Sequence, residues 1–284
     1  GNIYLSGSDN NFLKKKIGKN KFSLSKIMTS PLIFDDEIIF SDDKGTIYNI
    51  SRAGKLNWKK NIYKKIYKKI YKNLTYSIYD NELYVADNVG FVYKINLKNG
   101  EPIWIKNFGV PIKSNLKVFN ERIYFVNQDN KIICLGVENG LKNWDLRTIS
   151  SFIKSQNFLS LAVSEDNKLL IVLNSSGDLL KLDAITGRIF WSTNVNESFY
   201  AHDTDFFQSS DIVVDNSEVI FSTTSSFYSY NINSGYQNWI HNIASKNTPV
   251  IDGNNIFFVS DNGYFINIDR KSGKIIRSTN ILKT

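Results

Sequence analysis

Asn99-Gly-Glu-Pro-Ile-Trp104 is one of five copies of a single cassette. The others are Ala53-Gly-Lys-Leu-Asn-Trp58, Asn139-Gly-Leu-Lys-Asn-Trp144, Thr186-Gly-Arg-Ile-Phe-Trp191 and Ser234-Gly-Tyr-Gln-Asn-Trp239. A sixth, Ser272-Gly-Lys-Ile-Ile-Arg277, has lost the Trp. All five tryptophans, Trp58, Trp104, Trp144, Trp191 and Trp239, thus occupy one repeat position, spaced 46, 40, 47 and 48 residues apart. A period of that size marks a stacked repeat architecture rather than an ordinary mixed domain.

Upstream of each cassette lies a hairpin. Glu82-Leu-Tyr-Val-Ala runs into Gly90-Phe-Val-Tyr, and Lys168-Leu-Leu-Ile-Val into Gly177-Asp-Leu-Leu. Comparable pairs begin at Glu37, Arg122, Glu218 and Asn255, and Asn2-Ile-Tyr-Leu-Ser with Asn11-Phe-Leu makes a seventh, leading copy. These strands alternate or run apolar over four to six residues, as a sheet covered on both faces requires. Glycines at 45, 90, 177 and 263 permit the positive φ of tight hairpin turns. Four strands per repeat describe a propeller blade, and stacking blades in a ring covers faces that one blade leaves bare. The expectation is an all-β chain, a β-propeller of about seven four-stranded blades with eight as the alternative, forming one domain over residues 1–284. The repeated Trp is expected to pack between neighbouring blades, and its loss at Arg277 to weaken one interface only.

The pattern of hydrophobic strand, Asp/Asn-x-Gly turn, strand and Gly-x-x-x-Trp resembles the pyrroloquinoline-quinone (PQQ)-like repeat. Quinone dehydrogenases sharing that repeat imply a calcium site, a catalytic Asp and a disulfide of adjacent cysteines. This chain has one cysteine, Cys134, in the apolar run Lys131-Ile-Ile-Cys-Leu, so that disulfide cannot form. Acids such as Asp42, Asp43, Asp87 and Asp261 sit at hairpin turns, where they serve local backbone bonding. No nucleophile elbow, zinc-binding helix motif or phosphate loop is present. No enzyme activity, cofactor or metal is therefore expected. His202, Asp203 and Asp205 fall short of a ligand set by themselves.

Enzyme-free chains of this repeat resemble the BamB family of outer-membrane assembly lipoproteins. That resemblance implies docking on the POTRA domains of the barrel-assembly subunit, a periplasmic location at the inner face of the outer membrane, and a lipid anchor upstream of Gly1. The other readings are a PQQ-like propeller binding another ligand or regulatory partner, a dehydrogenase remnant, and a nucleic-acid binder. The formal charge of +8 is read as a product of Lys-rich composition, and no nucleic-acid partner is expected.

Two segments depart from the repeat. Residues 61–73 read Asn-Ile-Tyr-Lys-Lys-Ile-Tyr-Lys-Lys-Ile-Tyr-Lys-Asn. Their period of four would set Ile62, Ile66 and Ile70 beside Tyr63, Tyr67 and Tyr71 on one helical face, with lysines opposite. A basic, aromatic amphipathic segment of this kind is suited to lie on an anionic surface, membrane or nucleic acid; a short solvated strand pair or helix without function is the alternative. Residues 194–208 carry Phe199, Tyr200, His202, Phe206 and Phe207 in a second long connection. The candidate partner contacts are those five residues together with Tyr63, Lys64, Tyr67, Lys68 and Tyr71.

Overall fold

A computed structural model describes residues 31–67, 69–148, 159–164, 168–195 and 207–282. They form six four-stranded antiparallel sheets, each a simple meander, over residues 32–61, 74–107, 117–147, 160–194, 213–241 and 250–280. The first sheet joins β1 (Leu32–Phe34), β2 (Glu37–Ser41), β3 (Thr46–Ser51) and β4 (Leu56–Asn61). The blades are numbered one to six in chain order. Blade-to-blade strand contacts run between first strands, which places these innermost and the fourth strands at the rim. The leading copy at 2–13 lies outside the described residues.

The sequence pattern follows each strand's position. Second and third strands are covered on both faces, so Leu169–Leu173 is buried at every residue. Fourth strands have one face in solvent, so Ile189–Asn194 alternates between exposed and half-buried. The apolar interior is divided accordingly. Five clusters each join two neighbouring blades, and each holds one tryptophan at its edge: Trp58, Trp104, Trp144, Trp191 and Trp239 in turn.

The tryptophans do more than fill space. Each indole N–H donates to a main-chain carbonyl of the next blade: Trp58 to Leu97 (2.8 Å), Trp104 to Val137 (3.1 Å), Trp144 to Ala184 (3.3 Å), Trp191 to Ile232 (2.9 Å) and Trp239 to Arg270 (3.0 Å). Each ring also lies against the cassette glycine of that next blade. A Cβ on Gly100 would fall 2.5 Å from Trp58, and one on Gly187 would fall 2.7 Å from Trp144. The cassette therefore contains both halves of a joint, the Trp that reaches forward and the Gly that receives the ring from behind.

A β-bulge sets the aim of the ring. In all six blades the pairing of third and fourth strands shifts by one residue beside the Trp position, between Asn49/Ile50, Lys94/Ile95, Cys134/Leu135, Lys181/Leu182, Ser229/Tyr230 and Asn267/Ile268. Such bulges bend a strand and redirect a side chain. In the sixth blade Arg277 holds the position and bonds Thr279 of its own strand (3.2 Å).

Candidate docking face

Antiparallel meanders sort their connections. The turn between second and third strands leaves on the same side as the link from a fourth strand to the next blade. Among the described residues, one propeller face thus carries these turns and the ends of the inter-blade connectors, including residues 61–67 and 69–73 and the two ends, 194–195 and 207–208, of the second segment that departs from the repeat. Connectors are tied down to the turns beneath them: Phe108 N–H donates to Gly90 O (2.8 Å), Val195 to Gly177 O (2.8 Å) and Ile281 to Gly263 O (2.9 Å).

Each turn is itself capped by the residue at the junction of the second strand and the turn: Asp87 ends its strand, and the other five caps directly follow theirs. Asp42 Oδ1 accepts from the N–H of Lys44 (3.0 Å) and Thr46 (2.8 Å). Asp87 Oδ1 accepts from Val89, Gly90 and Phe91 at 2.8–2.9 Å. Asn127 and Asn174 do the same for their own turns, and Thr223 and Ser260 do so with hydroxyls. The caps make rigid turns of short polar segments. They confirm the backbone role read for Asp42 and Asp87. Asp261 differs: its carboxylate accepts from Lys246 N–H in the connector (3.0 Å).

The connector between blades one and two is built over two of these caps. It contains a single 3-10 turn, Lys65–Tyr67, in place of the amphipathic helix that its period of four suggests. A segment of this length forms a marginal helix at best, and tertiary contacts win. Tyr63 turns inward over Gly45, and its hydroxyl donates to Asp87 Oδ2 at 2.5 Å. Tyr93 donates to the same oxygen at 3.3 Å. Burial pushes the Asp87 carboxyl above the usual range, against the pull of the Tyr63 hydroxyl and the turn N–H groups. Burial also drives the Tyr63 phenol far above its ordinary value. Lys72 is buried, lies 4.9 Å from the centre of the Tyr63 ring, and donates to the carbonyls of Tyr67 and of Ile70 (2.6 Å). Desolvation lowers its pKa.

The three tyrosines of the repeated Ile-Tyr-Lys triplet thus take three environments. Tyr63 is internal, Tyr67 packs edge-on against Phe91 (5.4 Å), and Tyr71 is 64% exposed. Ile66 and Ile70 project outward at 78% and 46% exposure, with Lys64, Lys65 and Lys69 exposed around them. Ile62 is drawn into the cluster between blades one and two. In the connector between blades four and five, Phe207 packs on the core and Val195 is buried. Phe199, Tyr200, His202, Phe206 and Lys68 lie outside the described residues.

The family model for outer membrane protein assembly factor BamB matches residues 43–279, six successive cassettes. The chain belongs to the BamB family. BamB of Legionella pneumophila (strain Paris) is 26% identical over 182 residues, covering 60% of this chain and 47% of that protein. Uncharacterized protein RC0314 of Rickettsia conorii is 24% identical over 288 residues, covering 96% of this chain and 68% of that protein. The chain matches about half the length of the Legionella relative. Among solved structures, BamB from Moraxella catarrhalis superimposes with a TM-score of 0.74 at 11% identity, covering 89% of this chain and 75% of that one. A europium-containing methanol dehydrogenase superimposes at 0.67 with 11% identity, covering 89% of this chain and 68% of its own. The BamB-type propeller is therefore a fold shared with enzymes.

Among the described residues of this BamB-family chain, no group of three or more His, Cys, Asp or Glu side chains is arranged to hold a metal. Cys134 is buried, and desolvation pushes its thiol up to about 12. His241 is occupied with Gly273 O at 2.6 Å. The bulges, the Trp-to-Gly joint and the Tyr63–Asp87–Lys72 anchor escaped the sequence reading. A signal for the joint was present, because Gly and Trp recur together in every cassette but the last.

Proposed function

We propose that this propeller is a non-catalytic docking scaffold in the assembly of β-barrel proteins into the bacterial outer membrane. Family membership across residues 43–279 carries the reading. Its partner is a protein, taken to be the POTRA region of the barrel-assembly subunit, and its place is the periplasm, held to the outer membrane by a lipid upstream of Gly1. The surface proposed for docking is the face of connectors and capped turns. Rigid turns let a partner bind without ordering them, which lowers the entropic cost of association. Phe199, Tyr200 and Phe206 are the proposed aromatic anchors, in keeping with the weight aromatic side chains carry at interfaces, whereas Phe207 packs on the core.

The test is a titration of the whole chain against the POTRA region from the same organism near physiological salt. Saturable binding that weakens roughly tenfold or more on changing Phe199, Tyr200 and Phe206 to Ala is the expected result, as for loss of interface anchors. Absence of binding by a correctly folded chain would refute the scaffold reading.

A further inference from the structure

We infer that the connector between blades one and two is a binding element for an anionic phospholipid surface, with Ile66, Ile70 and Tyr71 entering the interfacial region and Lys64, Lys65 and Lys69 holding headgroups. The inference is independent of the scaffold reading.

The first observation is the distribution of charge. Residues 44–79 contain ten Lys and Arg and no Asp or Glu. The rest of the chain holds 25 basic and 27 acidic residues, so the excess positive charge of the whole protein resides in this one span. Lys60 of the span pairs with Glu101, whereas Lys64, Lys65 and Lys69 have no ion-pair partner among the described residues. Lys44 is exposed in the turn beneath them. Uniform Lys enrichment would not leave the remainder of the chain slightly acidic.

The second observation is shape. The loop is held from below by the Tyr63 hydroxyl on Asp87 and by Lys72 on the carbonyls of Tyr67 and Ile70. Its far end is held by Asn88, whose amide nitrogen donates to Tyr71 O (2.9 Å) and whose amide oxygen accepts from Asn73 N–H (2.8 Å). Within the loop, Tyr67 N–H donates to Lys64 O and Ile70 N–H to Tyr67 O. A polar anchor system thus holds Ile66 and Ile70 in solvent, where a solvated insertion gains nothing from them.

Charge alone would suit any polyanion, and the isoleucines select among them. They cannot stack on bases or donate hydrogen bonds, but they gain free energy on entering hydrocarbon. Basic side chains flanking exposed apolar and tyrosine residues match the chemistry of a membrane interface, where tyrosine also favours the headgroup level.

The experiment is sedimentation of the full chain with vesicles of phosphatidylcholine and phosphatidylglycerol, against phosphatidylcholine alone. An Ile66→Trp variant serves as an insertion reporter with brominated lipid. The expected result is binding to the anionic vesicles only, with quenching of the new Trp. Each Lys→Gln change at 64, 65 and 69 should weaken partitioning roughly fivefold, in line with about 1 kcal/mol per basic residue at such a surface. Ile66→Ser with Ile70→Ser should weaken it further at unchanged charge. All these positions are exposed, and an unchanged circular dichroism spectrum verifies that each variant folds. No binding to anionic vesicles overturns the inference. So does binding that the isoleucine changes leave intact and a single-stranded oligonucleotide displaces, which would assign the loop to polyanions in general.

Discussion

Gly100→Ala should destabilise the propeller well beyond the cost of its backbone conformation, and should do so through Trp58. Gly100 has φ +73°, and an alanine Cβ there would lie 2.5 Å from Trp58 Cε3 and 2.9 Å from Cδ2 and Cζ3. Left-handed backbone alone costs an L-residue about 1–2 kcal/mol. Relieving the overlap requires the indole to move off the Leu97 carbonyl, and overpacking of this kind adds roughly 1–3 kcal/mol. Gly109 supplies the control, because it has φ +69° with nothing within 4 Å of the position a Cβ would take. Gly109→Ala should therefore show the backbone cost only. Equilibrium urea unfolding followed by far-ultraviolet circular dichroism measures both, with m-values compared to verify a common transition. In a cycle with Trp58→Ala, the steric part of the Gly100→Ala cost should vanish, giving a coupling of about 1–3 kcal/mol. Equal losses for Gly100→Ala and Gly109→Ala would refute the joint, as would a Gly100→Ala cost that persists without Trp58.

Three further outcomes follow from other parts of the molecule. Arg270 is largely buried and donates to Glu218, to the Asp215 carboxylate and to the Asp215 carbonyl (2.8 Å), so it clamps blade six to blade five. Arg270→Ala should cost roughly 2 kcal/mol in urea unfolding, below the value for a fully buried pair because Asp215 is partly exposed; a loss within error of zero would show that the clamp is solvated away. Because the Asp87 carboxyl is raised, its contribution to stability is present below its ordinary value of 3.8 and is lost as pH rises through its folded value. Asp87→Asn, which copies the caps at Asn127 and Asn174, should accordingly remove part of the stability decline on going from acid to neutral pH, and an unchanged pH profile of melting temperature would contradict this. Finally, the Cys134 thiol, buried and raised to about 12, should resist alkylation by iodoacetamide at neutral pH until the chain unfolds; rapid modification of the native protein would show an open path to it.

The sequence by itself determined the architecture. Five Trp-bearing cassettes and their hairpins at a near-constant period leave one economical solution, since a blade with apolar residues on both faces must be covered by neighbours. The turn roles of Asp42 and Asp87 were legible for the same reason: an acid at the end of a strand, just before a tight turn, bonds its own backbone. Resemblance in the cassettes also pointed to the BamB family. What the tertiary structure alone decided was direction and partnership. Periodicity cannot tell that the Trp reaches forward to the next glycine, because that contact joins residues about forty apart across a bulge invisible in composition. Nor can it tell that Tyr63, Tyr67 and Tyr71, each the centre of an Ile-Tyr-Lys triplet, separate into an inward-turned anchor, an edge-packed ring and an exposed tip. That sorting depends on the distance of each from Asp87 and Phe91. Local repetition specifies equal propensities, whereas the blade junction beneath the loop is unequal along its length, and burial follows the junction.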